Sequence, residues 1–209
     1  MFEEEKIKNL VPHFGHAEKN LYTWKELEGL LNLRPFLAPN RFTPAGPISS
    51  YTWFYSGWCS DPDAYSTSAV KDIISKSTTY LRDCSRVNEK VNSFAHSLEK
   101  TLHTNTDCHV YFSIKKDLFS FGKHKDTAHN LIVVSEGSIK CEIWIEGGHI
   151  IEKELSNGEY AFIPAEVYHR ITPLTEKRLS LSFCSQTHEL TGGIPDDYEE
   201  REWLRLDNL

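Results

Sequence analysis

Ser120-Phe121-Gly122-Lys123-His124-Lys125-Asp126 opens, and Gly158-Glu159-Tyr160-Ala161-Phe162-Ile163-Pro164 leading to His169 closes, the stretch on which the reading of this chain turns. Successive side chains of a strand point to opposite faces, so His124 and Asp126, two apart, look one way and Lys125 the other. Two potential ligands therefore share one wall. His169 ends the Gly-to-Pro segment, and a strand returning alongside the first would bring its imidazole to the same wall from the far side of a small barrel. Two imidazoles and one carboxylate on one face of a metal, with the remaining positions open, form the ligand set of non-haem Fe(II) oxygenases. His124, Asp126 and His169 are thus the candidate metal ligands and catalytic centre. The alternative is a pair of core histidines in an ordinary barrel.

The surrounding sequence is that of a globular domain. A length of 209 residues suits one domain with small additions, and 39% hydrophobic with 12% aromatic residues is enough to fill a core. The net charge is −7 and no basic run stands out, so a nucleic-acid partner is not expected. No apolar run reaches bilayer length, and the acidic start Met1-Phe2-Glu3-Glu4-Glu5 is unlike a secretory signal; the expectation is a cytoplasmic protein that makes no membrane contact. Cys59, Cys84, Cys108, Cys141 and Cys184 are odd in number, scattered and without a C-x-x-C pair, which predicts reduced, mostly buried thiols. No internal repeat, P-loop, G-x-G-x-x-G or G-x-S-x-G pattern occurs, so nucleotide-driven and serine-hydrolase chemistry lack support.

Periodicity divides the chain into a helical and irregular arm over 1–107, a barrel core over 108–186 and a tail over 187–209. Thr23-Trp24-Lys25-Glu26 has the capping-box form, and Trp24, Leu27, Leu30 and Leu31 follow on one helical face, predicting a helix over 24–32. Pro35, Pro39, Pro44 and Pro47 then break regular structure. The aromatic run Tyr51-Thr52-Trp53-Phe54-Tyr55-Ser56-Gly57-Trp58 reads as packing beneath the barrel, with the rim of a binding cleft as the alternative. A weaker helix is expected over 68–77. Val87, Val91, Phe94, Ala95, Leu98 and Leu102 recur at the 3.6-residue period, which predicts a helix over 86–103 capped by Asp83 or Ser85. From Cys108 onward the period drops to two. Strands are expected over 108–113, 118–126, 130–135, 139–145, 150–155, 160–163, 168–172 and 178–184, with turns at Glu136-Gly137, Gly147-Gly148 and a hairpin at Asn157-Gly158. This is a mainly β fold with α additions: a jelly-roll or double-stranded β-helix with a helical N-terminal arm. Trp203, Leu204 and Leu206 in the acidic tail suggest a short C-terminal helix that caps the barrel or pairs with a second subunit in a homodimer.

The motif resembles the cupin superfamily. From Gly158 the chain runs five residues to Pro164 and four more to His169, which is similar to the second cupin metal motif except that Glu166 stands where the family has glycine. Asp126 stands where most cupins carry a second histidine, and Gly137 closes the first motif. Together these resemble the JmjC-type branch, the Fe(II)- and 2-oxoglutarate-dependent hydroxylases, over roughly residues 75 to 185 and most closely over 111–144 and 155–183. The resemblance implies Fe(II) as cofactor, 2-oxoglutarate as cosubstrate, and a cation for the cosubstrate's 5-carboxylate, since a buried unpaired charge is costly. In that branch the cation stands two residues beyond the turn glycine, and here that position is Ile139.

Two replacements are at hand. Lys140 is adjacent to Ile139 but alternation points it to the other face. Arg178, nine residues after His169, lies on the strand that in the resembling family lines the cosubstrate pocket together with the positions of Ser180 and Ser182; its alternative is a surface strand cation. Asn130 stands where some relatives place an amide near the cosubstrate, or else serves as a turn residue. Tyr111 and Ser113 share a face of the preceding strand, and either hydroxyl could bond a carboxylate oxygen. His129 is at odd spacing from Asp126 and should face away from the metal wall, while His149 and His188 read as solvated. The implied activity is hydroxylation of a small molecule or a peptide or protein side chain. The competing readings are a metal cupin, dioxygenase or isomerase, that does not use 2-oxoglutarate, and a non-catalytic cupin binding module.

Overall fold

Residues 106–113 and 178–185 alternate apolar with polar side chains along their length, and that alternation separates a dry core from a polar cavity. The computed structural model describes residues 2–33, 42–44, 67–116, 118 and 120–187. Among them are helices α1 (Glu4–Lys8), α2 (Trp24–Leu31), α3 (Thr67–Lys76) and α4 (Glu89–Leu102). The strands are β1 (His13–His16), β2 (Phe42–Pro44), β3 (Thr79–Leu81), β4 (Thr106–Ser113), β5 (His129–Glu136), β6 (Ser138–Trp144), β7 (Ile150–Ser156), β8 (Glu159–Ile163), β9 (His169–Pro173) and β10 (Arg178–Ser185). They form an antiparallel seven-stranded sheet in the order β1-β8-β5-β10-β4-β3-β2 and a three-stranded sheet in the order β7-β6-β9. This is the jelly-roll, double-stranded β-helix arrangement expected, with helices against its larger sheet. None of the described helices is long and apolar enough to cross a membrane.

The large sheet has a core on each side. Cys108, Val110 and Phe112 of β4, Leu131 and Val133 of β5, and Leu179, Leu181 and Phe183 of β10 face the helices, where they pack with Leu27 of α2 and Val91, Ala95 and Leu98 of α4. The residues between them point the other way, so Ile132, Val134, Ala161 and Ile163 meet Ile139, Cys141, Ile143 and Leu155 inside the barrel. Burying a side chain of this size stabilises by about 1.5–3 kcal/mol each, so the two clusters dominate the fold's energetics.

The helix signals are expressed with one shift. Thr23 Oγ1 accepts from Glu26 N at 3.3 Å while Glu26 Oε2 accepts from Thr23 N at 2.8 Å, the reciprocal box expected for α2. The helix expected from residue 86 begins at Glu89, and its cap is Asn88 rather than Asp83 or Ser85. Asn88 Oδ1 accepts from Val91 N at 2.8 Å, and its amide donates to Leu21 O and to Glu26 Oε1, so one side chain ties the starts of both helices together. Asp83 has a φ of +56°.

Two strand-level expectations are corrected. The described part of 118–126 forms no strand; His124 makes a lone antiparallel bridge to His169. Gly122 O accepts from the His124 ring two residues on. Asn157-Gly158 does make a tight turn, with Gly158 at φ +84°, but not a hairpin: β7 pairs with β6 and β8 pairs with β1 and β5, so the turn carries the chain from one sheet to the other. Local turn chemistry sets the reversal, and the longer pairings of β8 decide its neighbours. The short strands β1, β2 and β3, which add to the large sheet, carry no strong alternation of their own. The aromatic run over 51–58 and the expected C-terminal helix and dimer contact of the tail lie outside the described residues.

Gly137, between β5 and β6, also crosses between sheets, and it requires glycine twice over. Its φ is +74°, and a Cβ there would stand 2.2 Å from Lys177 O and 2.4 Å from Thr175 Oγ1, with Arg178 Cα at 3.1 Å. Gly148 has a similar φ of +78° but nothing within 4 Å. Gly148→Ala should therefore cost only the left-handed conformation, about 1–2 kcal/mol, whereas Gly137→Ala should cost about 3 kcal/mol or more because the β10 backbone must move. Urea unfolding of both variants checks this; equal losses would show that the close approach carries no energy.

Candidate metal centre and its cavity

Backbone hydrogen bonds bring the ligands together. His169 N donates to His124 O at 2.8 Å and His124 N donates to His169 O at 3.0 Å, so the first residue of β9 grips the loop that carries His124 and Asp126. One ligand oxygen or nitrogen from each of His124, Asp126 and His169 lies within 4.8 Å of the others. Asp126 Oδ2 is 3.4 Å from His169 Nε2 and 3.8 Å from His124 Nε2. Each Nδ1 faces a carbonyl two residues earlier, Gly122 O at 2.8 Å and Val167 O at 3.0 Å. A carbonyl can only accept, so each Nδ1 carries a hydrogen, and Nε2 is the ring nitrogen turned toward Asp126.

The carboxylate is held as firmly. Asn130 Nδ2 donates to Asp126 Oδ2 at 2.7 Å, and Ser182 Oγ donates in turn to Asn130 Oδ1 at 3.3 Å. Burial by itself raises the Asp126 carboxyl, but the hydrogen bond and charge of His169, the charge of His124 and the Asn130 amide outweigh it and hold the group below its ordinary range. Two imidazole nitrogens and a carboxylate oxygen converging from one side fit a divalent metal of the Fe(II) class. Glu166, in the place of the motif's glycine, has φ +63°, the left-handed conformation glycine favours. Its N–H donates to Asp126 O at 2.8 Å and its carboxylate pairs with Lys125, so the strained residue is tied to the loop at both ends.

The triad opens into a cavity of about 400 Å³ inside the barrel. Of the residues singled out from sequence, Arg178, Asn130, Tyr111, Ser180 and Ser182 line it together with the three ligands. Two do not. Lys140 stands on the outer face of β6 and pairs with Glu152 at 2.9 Å. Ser113, the register partner of Arg178, is not among the lining residues, and its buried hydroxyl has no partner among the described residues. His129 accepts from Ala165 N at 3.0 Å, away from the cavity, and Ile139 is fully buried in the barrel core. The cavity wall also includes Tyr80, Asp107, His109, Phe121 and Cys184, which sequence reasoning passed over. The odd-numbered face that β4 gives to Tyr111 was the signal for Asp107 and His109; three-residue β3 offered none for Tyr80.

Arg178 is 1% exposed. Its Nη1 donates to Ser180 Oγ at 2.8 Å and its Nη2 to Thr78 Oγ1 at 3.3 Å, while Nε has no partner among the described residues. Among the described residues no carboxylate pairs with it. Burial pushes the guanidinium down to about 10, against a smaller opposing effect from Tyr111. Burial likewise drives the Tyr111 hydroxyl well above its ordinary range, so it faces the cavity as a neutral phenol.

No protein-family model matches this chain, and no curated protein does. Solved structures match it in fold. The Escherichia coli ribosomal oxygenase YcfD aligns with a TM-score of 0.61 and 16% identity over 97% of this chain and 57% of that one. A Pseudomonas putida prolyl-4-hydroxylase aligns with a TM-score of 0.52 and 13% identity over 88% of this chain and 96% of that one. The chain thus spans little more than half the length of YcfD, and at these identities the likeness establishes a shared fold.

Replacing His124 or His169 with Ala should abolish stoichiometric binding of a divalent metal, because two ligands cannot hold what three do at this site. Lys140→Ala should leave metal content unchanged. Metal analysis of the purified variants checks both; a wild-type metal content in His124→Ala would remove the triad from consideration.

Proposed function

We propose that this chain is an Fe(II)- and 2-oxoglutarate-dependent oxygenase that hydroxylates a small molecule or a peptide or protein side chain. The observation that carries the reading is Arg178, a buried guanidinium with no carboxylate partner among the described residues, on the wall of the same cavity as a two-histidine, one-carboxylate set. A desolvated cation with an unsatisfied N–H costs several kcal/mol unless an anion meets it. A dicarboxylate whose far end reaches Arg178 supplies that anion. The fold shared with a ribosomal oxygenase and a prolyl-4-hydroxylase agrees with this.

Each residue then has a task. His124, Asp126 and His169 would hold the metal, with Asn130 orienting the Asp126 carboxylate. Arg178, steadied by Ser180 and Thr78, would take the 5-carboxylate of 2-oxoglutarate through charge-assisted hydrogen bonds, and the neutral Tyr111 hydroxyl can donate into the same space. Ile132 and Ile171 keep part of the wall dry, which strengthens those contacts. Fe(II) bound there supplies the oxidation of a substrate C–H by dioxygen, coupled to conversion of 2-oxoglutarate to succinate and carbon dioxide.

Ile139 favours a second reading, a metal cupin that binds its substrate directly on the metal without 2-oxoglutarate, because the β6 position of the resembling branch's cation is apolar core here. The two separate cleanly. Iron-loaded protein should consume 2-oxoglutarate and release succinate, and Arg178→Ala should weaken 2-oxoglutarate binding by about 2–5 kcal/mol, roughly 30-fold to several thousandfold, with metal content retained. Metal without any 2-oxoglutarate binding would select the second reading, and unchanged affinity in Arg178→Ala would remove the arginine from the site.

A further inference from the structure

The metal site leaves three reactive side chains of the cavity unused. β4 and β10 pair so that Asp107 lies opposite Cys184 and His109 opposite Ser182. Asp107, His109 and Cys184 all line the cavity. His109 Nε2 is 3.2 Å from Asp107 Oδ2, and His109 Nδ1 is 3.8 Å from Cys184 Sγ. The ring therefore spans a carboxylate and a thiol, one nitrogen to each, in the order of an orienting acid, a base and a nucleophile. Asp107 is in turn fixed by Asp83 N–H at 3.3 Å, and the Tyr80 ring covers His109 with centroids 5.8 Å apart. The sulfur's other neighbours are the Ser182 carbonyl at 3.7 Å and hydroxyl at 3.8 Å.

The electrostatics agree with the geometry. Burial lowers the His109 ring, but its hydrogen bonds to Asp107 and Cys184 outweigh that and push it up to about 10. The ring beside the sulfur is thus a proton donor within reach of an exchange at Cys184. The other described cysteines differ: Cys84, Cys108 and Cys141 are fully buried, and burial raises the Cys108 and Cys141 thiols. Cys184 alone among them is partly exposed and opens on the cavity.

We propose that Cys184, His109 and Asp107 form a second reactive site on the cavity wall, a nucleophilic thiol that exchanges with low-molecular-weight disulfides. The Cys184 thiolate attacks one sulfur of the disulfide, forming a new S–S bond as the old one breaks. The departing thiolate takes its proton from the His109 imidazolium. Cys184 is oxidised to the mixed disulfide, and half of the reagent is reduced to thiol. Charge passes from sulfur to sulfur, so the step asks for no oxyanion donors beyond the three residues present. The adduct projects into the cavity that the metal ligands and Arg178 share, which makes Cys184 a thiol switch on access to it.

The test uses the full chain and the neutral disulfide dithiodipyridine, following release of thiopyridone by absorbance and the modified cysteine by peptide mass spectrometry. It is run on metal-stripped and iron-loaded protein alike, so its outcome does not depend on the oxygenase reading. Cys184 should be labelled in the native protein at least about tenfold faster than in the urea-unfolded chain, and His109→Gln should slow it by about tenfold or more. Asp107→Asn, which keeps ring and sulfur, should slow it several-fold and carries the comparison if His109→Gln fails to fold. A native Cys184 that stays unlabelled, or one that reacts at an unchanged rate in either variant, overturns the proposal.

Discussion

The exchange of backbone hydrogen bonds between His124 and His169 is the constraint on which the candidate site depends. The loop carrying His124 and Asp126 has no ladder of its own, so this single bridge to β9 sets where its side chains point. Each imidazole is then locked by a carbonyl two residues before it, the same device on both sides. Glu166 completes the clamp by donating to Asp126 O from a left-handed conformation that costs a non-glycine residue about 1–2 kcal/mol. Strain at one residue thus coincides with the ligand loop's second anchor, as is common where surrounding structure over-determines a site.

Behind that clamp, the large sheet does two jobs by alternation alone. One face of β4 and β10 is apolar and packs on α2 and α4; the other gives Tyr111, Arg178, Ser180 and Ser182 to the cavity. The helices are therefore not ornaments on the barrel. They cover the outer face so that the inner face is free to be polar, and the inner apolar cluster closes the rest of the barrel. Tyr111, Ser180 and Ser182 each sit between two core residues whose packing fixes their direction.

Much of this is legible in the residues. Period-two alternation over seven of the eight expected barrel strands, the Thr23–Glu26 box and the heptad-like spacing of Val91, Ala95 and Leu98 are local signals, and local physics expresses them. The spacing of Gly158, Pro164 and His169 belongs to the same class. So does the assignment of Lys140 to the face opposite Ile139, which its pairing with Glu152 reflects.

The sequence by itself determined which residues share a face, because alternation is a property of a single strand. Only the tertiary structure decided which sheet that face looks toward. It joined His124 to His169 without a strand at 118–126, turned Asn157-Gly158 into a crossing between sheets, and enclosed Arg178 where sequence allowed a surface cation. It also set Cys184 beside His109, 75 residues away in the chain. The physical reason is common to all four. Pairing register across distant segments is settled by the burial of whole faces at once, and no short stretch carries that information.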